Sequence, residues 1–194
     1  MEKPPFNKVM IVNRGEIALR IIRACHELGI KTVAVHSQAD VDALHVKLAT
    51  ESVCIGPALA KDSYLNIASI MAAAVATHVD AIHPGYGFLS ENAAFAEICG
   101  SCGITFIGPS VRNMRVMGDK ARARRAADKA SVPTIPGDSK GYLKVEDAIA
   151  AAKKAGFPVL LKSCAGGGGR GMKIVEGLDD FALSFSNAQR EVEA

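Results

Sequence analysis

The residues best suited to chemistry stand together in KSCAGGGGRGMKIV, positions 162–175. Lys162 supplies a cation, Gly166, Gly167, Gly168, Gly169 and Gly171 supply backbone without Cβ atoms, and Arg170 adds a second cation. Fixing consecutive glycines costs more chain entropy than fixing any other residues, so an ordered loop of this kind needs a ligand whose binding offsets the cost. A flexible linker is normally flanked by polar residues, whereas PVLLK and MKIV are largely apolar β-type runs. A Walker loop needs Lys and Ser/Thr directly after its last glycine, then a helix; Met172 and Lys173 follow Gly171. Gly166-x-Gly168-x-x-Gly171 matches the dinucleotide fingerprint in form, but that fingerprint also needs a helix next. A flap between two strands fits best. Its N–H groups would meet nucleotide phosphates, and Lys162 would place its charge on the same oxygens.

Two further clusters invite a chemical reading and lose it. Cys99-Gly-Ser-Cys102 is a C-x-x-C pair, but it ends a helical stretch, ENAAFAEICGSC, whereas redox thiols of the thioredoxin kind begin one. No second Cys or His pair stands at zinc spacing. DKARARRAADK (119–129) is basic, yet its cations surround the helix and no aromatics are interleaved, so a base-stacking platform is missing. It reads as a solvated helix.

The elements that must position these groups follow from hydrophobic periodicity. KVMIV (8–12), KTVAVHS (31–37), ESVCIG (51–56), DAIHPG (80–85) and ITFIGP (104–109) read as strands. Between them lie helical stretches: IALRIIRACHELG, closed by Gly29; YLNIASIMAAAVAT, capped by Asp62 or Ser63; and ENAAFAEICGSCG. Alternating strands and helices imply a doubly wound parallel sheet. Residues 110–131 read as helical with a break near Gly118, and VPTIPGDSKGY as a linker. A helix (VEDAIAAAKKAG), a strand (FPVLLKS), the glycine loop, a strand (GMKIVE) and a helix from Leu178 complete the chain. The expected architecture is an α/β, Rossmann-like N-terminal domain over 1–118, then an incomplete α+β unit over 119–194.

Composition narrows the function class. Hydrophobic residues make up 49% and charged residues 22% of the 194, the balance of a globular domain. A net charge of +3 points to neither nucleic acid nor membrane as partner. The longest apolar run, IASIMAAAVA, is half the length of about 20 residues needed to span a bilayer. MEKPPFNK resembles neither a secretory leader nor an Arg- and Ser-rich transit peptide. Five irregularly spaced cysteines fit reduced thiols, so a cytoplasmic location is expected.

NRGEIALRIIRA (13–24), HPGYGFLSEN (83–92), FIGPS (106–110), MGDK (117–120) and KSCAGGGGRGM (162–172) stand in the order found in biotin carboxylase, a member of the ATP-grasp superfamily. The chain resembles the N-terminal part of that module, which occurs in acetyl-CoA carboxylase of fatty acid biosynthesis and in propionyl-CoA and pyruvate carboxylases. The resemblance implies a pre-ATP-grasp domain followed by the start of an ATP-grasp domain with its lid. It implies that Lys120 and Lys162 meet ATP phosphates, that Gly166 to Gly169, Gly171 and Met172 form the lid loop, and that Arg20 and Tyr86 face the active site. His83, Gly85, Gly87 and Glu91 would be scaffolding around Tyr86. Arg23 and Glu27 would lie at a homodimer interface; their spacing equally suits an i,i+4 ion pair. The implied ligands are ATP, Mg²⁺, bicarbonate and biotin on a carrier protein, and the implied partners are that carrier and a carboxyltransferase. The family's metal-binding glutamates, catalytic base and biotin-holding arginine lie beyond the last residue here, so no catalytic residue or metal ligand is expected within the chain, and the 194 residues alone are expected to be inactive. Two other readings stand beside this one: a non-catalytic remnant that dimerises or joins intact subunits, and another ATP-grasp ligase such as urea carboxylase. Cys164 stands where the family more often has Ser, Thr or Ala.

Overall fold

The computed structural model describes residues 5–135, 140–162 and 172–193. The glycine loop, Arg170 and Cys164 lie outside these residues. The chain divides into two compact units, Met1–Met114 and Arg115–Ala194.

The first unit runs β1 (Lys8–Ile11), α1 (Gly15–Glu27), β2 (Lys31–Ser37), α2 (Leu44–Leu48), β3 (Glu51–Gly56), α3 (Ile67–Ala76), β4 (Ala81–His83), α4 (Ala93–Ser101), β5 (Thr105–Phe106) and α5 (Val111–Met117), the last crossing into the second unit. The five strands form one parallel sheet in the order β3-β2-β1-β4-β5. Both faces are covered. Val9, Ile11, Ala34 and Ala81 pack on Ala18, Ile21, Ile22 and Cys25 of α1. Met10, Val12, Val33, Val35 and Ile82 pack on the other side with Ile70 and Met71 of α3 and Phe95 and Cys99 of α4. Side chains alternate across a strand, so a buried β-branched run is the sequence of a strand covered on both faces.

Local signals fix the helix ends, with one correction. Asn92 caps α4 by accepting from the Phe95 N–H at 2.9 Å, and Gly29 follows α1 at φ +71°. The expected cap at Asp62 or Ser63 is not used. A one-turn 3-10 helix occupies Ala60–Asp62, and α3 begins at Ile67, capped by Asn66 through the Ser69 N–H at 3.1 Å. Ser63 instead donates its hydroxyl to the Leu59 carbonyl at 2.9 Å, and Tyr64 enters the core with no exposed surface. Gly56, at φ +150°, lets the end of β3 close on this turn: a Cβ there would run into the Asp62 carbonyl.

The second unit contains α6 (Lys120–Lys129), α7 (Val145–Ala155), β6 (Val159–Lys162), β7 (Met172–Val175) and α8 (Phe181–Glu193). The break near Gly118 is real. Asp119 caps α6, accepting from the Arg122 N–H at 2.8 Å. β6 and β7 pair antiparallel. The core comprises Ala148, Ala152, Val175 and Phe181, joined by half-buried Val159, Leu161, Phe157 and Phe185. Phe181 meets Phe157 edge-on at 6.3 Å and stacks with Phe185 at 6.4 Å.

Candidate functional site

In the first unit the polar groups gather where the sheet order reverses. The chain leaves β1 toward β2 on one side, while β4 and β5 extend the sheet on the other, so the carboxyl ends of β1 and β4 flank a topological switch point, the usual ligand crevice of such sheets. Asn13, two residues beyond β1, is buried, and its side-chain amide donates to the carbonyls of Pro84 and Tyr86, each at 2.8 Å. Its Oδ1 accepts from the Arg14 N–H at 2.9 Å. The loop after β4 is thereby hung on the end of β1. Gly85, at φ +65°, permits the approach: a Cβ there would lie 2.9 Å from Asn13 Nδ2. Its N–H donates to His83 Nδ1 at 3.1 Å, which puts the proton of the neutral ring on Nε2.

Tyr86, 59% exposed, donates its hydroxyl to Glu16 Oε1 in the first turn of α1. That hydrogen bond, helped by slight burial and by the Glu16 charge, raises the phenol above its ordinary pKa, while Arg20 one turn along α1 acts in the opposite sense. A shallow cavity of about 260 Å³ opens here, lined by Asn13, Arg14, Glu16, Ile17, Tyr86 and Phe88, among others. Of the residues expected to face the active site, Tyr86 is therefore on the switch-point loop, and Arg20 stands near enough to act on its charge.

A second polar cluster, unforeseen from sequence, lies at the end of β2. Asp40 Oδ2 accepts from Tyr64 (2.6 Å) and Ser37 Oγ (2.7 Å) and pairs with Arg14 at 3.6 Å. Burial opposes ionisation of Asp40, but the two hydrogen bonds and the Arg14 charge outweigh it and hold the carboxyl below the usual range. Tyr64, raised by burial and by Asp40, stays a phenol. The only sequence signal was a buried-type aromatic directly after Asp62-Ser63.

His45 on α2 is buried, and neither ring nitrogen makes a hydrogen bond of ordinary geometry. Burial lowers its pKa; Asp40 and the Val35 backbone pull weakly upward, and His36 pushes down. His83 is lowered by burial as well. A histidine depressed in the folded state contributes stability above its unfolded pKa of about 6.5 and loses it as pH falls toward the folded value. Urea unfolding should therefore show a lower midpoint at mildly acidic pH than above neutrality. His45→Gln should flatten part of that slope, and identical slopes in the two proteins would refute the assignment.

Arg23 and Glu27 are both exposed on α1, and no ion pair forms between them. The i,i+4 salt-bridge alternative is thus not realised. Cys25, Cys54, Cys99 and Cys102 are free thiols, and Cys99 is buried in the core with its pKa pushed up to about 11, chiefly by that burial. An inert core thiol has this character, and a reactive one does not.

In the second unit, strand pairing sets the chemistry of the hairpin. Lys162 stands opposite Met172 and Leu160 opposite Ile174, so the four share one face. That face is open, with Leu160 48%, Met172 45% and Ile174 70% exposed, whereas Leu161 and Val175 turn to the core. A cation beside a flat apolar patch suits a ligand with an anionic end and a planar apolar body. Leu160 and Ile174 were not singled out from sequence, although the two-residue period of a strand places them beside Lys162 and Met172. Lys120 opens α6 directly after its Asp119 cap.

The fold and these two surfaces define a doubly wound α/β domain with a polar switch-point loop, followed by a helix-flanked antiparallel hairpin with an open, lysine-bearing face. Residues 5–114 match the model of the biotin carboxylase N-terminal domain, and residues 119–194 that of the ATP-binding domain of the carbamoyl-phosphate synthase L chain. The chain belongs to the biotin carboxylase family. It is 55% identical over 190 residues to a biotin carboxylase of Nostoc sp., covering 97% of this chain and 42% of that protein. The Campylobacter jejuni biotin carboxylase–β,γ-ATP complex superposes with a TM-score of 0.93 at 49% identity, over 96% of this chain and 42% of that one. The biotin carboxylase domain of Hydrogenobacter thermophilus 2-oxoglutarate carboxylase, a dimer with MgADP, ADP and bicarbonate, gives 0.91 at 48%, over 96% and 41%. The chain thus spans about two-fifths of the length of these relatives.

Proposed function

We propose that the chain supplies the N-terminal domain and the nucleotide-covering hairpin of an ATP- and bicarbonate-dependent ligase that carboxylates biotin on a carrier protein, with the boundary between its two functional parts at 118/119. The observation that carries the reading is the open hairpin face, where the Lys162–Met172 pair stands beside the Leu160–Ile174 pair. An adenine ring can lie on the thioether and branched side chains, and the ammonium can meet the phosphates as a charge-assisted donor. Lys120 serves as a second phosphate cation, and the glycine loop through Gly166 to Gly169 and Gly171 closes over them. Bound ATP supplies the phosphoryl group that activates bicarbonate. Among the described residues no group of three or more His, Cys, Asp or Glu is placed to hold a metal ion.

Tyr86 and Arg20 on the first unit face the reacting centre. Arg23 and Glu27 contribute to a homodimer interface, a use supported by their exposure without mutual pairing and by the dimeric relative. The biotin carrier and a carboxyltransferase are the further partners. The unbridged Cys99 and Cys102 agree with a reducing, cytoplasmic setting.

Titrating the chain with ADP while following methyl signals of Met172 and Ile174 tests the nucleotide surface. Both signals should shift, and Lys162→Met should weaken binding by about 10–100-fold, the worth of one charge-assisted hydrogen bond at about 1.5–3 kcal/mol. Methyl groups that stay still at saturating ADP, or equal affinity in the variant, would remove this face from the site.

A further inference from the structure

We propose that Arg14, Asp40, Tyr64 and Phe88 are positioning residues for Tyr86: they hold the far end of its loop so that the phenol stays on Glu16. The near end is held by Asn13 through the Pro84 and Tyr86 carbonyls. Two residues past Tyr86, Phe88 takes a left-handed backbone at φ +42°, a conformation that a bulky side chain adopts only when its surroundings impose it. The surroundings are specific. The Phe88 ring stacks on Tyr64 with centroids 5.1 Å apart and planes 9° from parallel. The Arg14 guanidinium lies over both rings, 5.4 Å from Tyr64 and 5.7 Å from Phe88. Arg14 is held in turn by Asp40 at 3.6 Å, and Asp40 by the hydroxyls of Tyr64 and Ser37. The Ser37 N–H donates to the Tyr64 hydroxyl at 3.1 Å, which ties the whole stack to the end of β2.

The arrangement goes beyond core filling. Arg14 is exposed, and a stack of buried Tyr64 on half-buried Phe88 would need no cation above it to fill the core. What the cation does is join the end of β1, through its own backbone, to the loop after β4 and the carboxylate after β2. Three neighbouring strands, β2, β1 and β4, are thereby locked at their carboxyl ends, and Tyr86 projects from the middle of the locked loop. The proposal rests on the reading of Tyr86 as a residue facing the reacting centre, but its test does not need substrate.

The chain has three tyrosines, Tyr64, Tyr86 and Tyr142, so 3-fluorotyrosine incorporation gives three ¹⁹F signals, assignable by Tyr86→Phe. In the unsubstituted protein the Tyr86 signal should titrate above free 3-fluorotyrosine, and Glu16→Gln should define the released value. Phe88→Leu and Arg14→Gln should each bring the Tyr86 midpoint most of the way down to that released value, and Phe88→Tyr should restore it. The direction discriminates: losing the Arg14 charge alone would raise the phenol pKa, whereas losing the hold on the loop lowers it. Should Phe88→Leu fail to fold, Arg14→Gln at its exposed position carries the test. A Tyr86 midpoint that stays in place or rises in the folded variants overturns the proposal. A Tyr86 that is held as described but not used by the enzyme would show itself differently, as unchanged turnover of Tyr86→Phe in the intact ligase.

Discussion

Phe181→Ala is expected to unfold the second unit while leaving the parallel sheet of the first intact. Phe181 has no exposed surface, and among the described residues the other buried members of its core cluster are two alanines and a valine. Truncating a buried Phe costs about 3–5 kcal/mol. A unit of about 80 residues has a total stability on the order of 4–12 kcal/mol, so the substitution removes much of it. The ring contacts with Phe157 and Phe185 are lost together, and these rings back the inner face of the hairpin that presents Lys162. Nucleotide binding should disappear with the fold. Hydrogen exchange measures both halves of the claim: β6 and β7 amides should lose protection, while β1, β2 and β4 amides keep theirs. Loss of protection in both units at once would show that they unfold as one cooperative body.

The sheet was legible in the sequence because its central strands are buried on both faces and therefore read as continuous β-branched runs, KVMIV and KTVAVHS. The helices with polar caps were equally legible. Misreadings fell where a local signal competed with tertiary packing. Asp62 and Ser63 are good caps in isolation, but Tyr64 gains more by burial under Asp40 than a helix gains by starting early. The helix α2 carries Leu44 and Leu48 exposed and only His45 buried, so five residues show no period to detect. The same division holds for the site. Lys162 beside Met172 is a consequence of strand register, which a period of two predicts. The group of Arg14, Asp40, Tyr64 and Phe88 joins residues from four separate segments, and no spacing rule along one chain brings them together. The roles expected of Tyr86 and Arg20 came from the family resemblance and not from any spacing along the chain. Their local sequences, a Pro/Gly turn and an amphipathic helix, are common in any domain of this class.

Asn13→Ala should destabilise the first unit by about 2–4 kcal/mol, a large effect for the loss of one amide. The side chain adds little apolar burial, so the cost is one of hydrogen bonding. The Pro84 carbonyl is buried, and without Nδ2 it has no donor; an unsatisfied buried polar group costs about 1–3 kcal/mol. The Tyr86 carbonyl is only partly buried and recovers some of its loss from water. The Arg14 N–H loses Oδ1 at the same time. Asn13→Asp separates this account from one based on shape. Aspartate has the same outline but puts an acceptor oxygen where Nδ2 donated to two carbonyl oxygens, and it places a charge where the side chain is 3% exposed. It should therefore destabilise at least as much as alanine at neutral pH, and the deficit should shrink as acidification protonates the carboxyl and returns a donor. With no tryptophan in the chain, tyrosine fluorescence during urea unfolding reads the transition without interference. An Asn13→Asp protein as stable at neutral pH as the unsubstituted one would mean that the loop after β4 is held by its apolar contacts and not by the amide. In that case the switch-point geometry would have to rest on Phe88 and Arg14 alone.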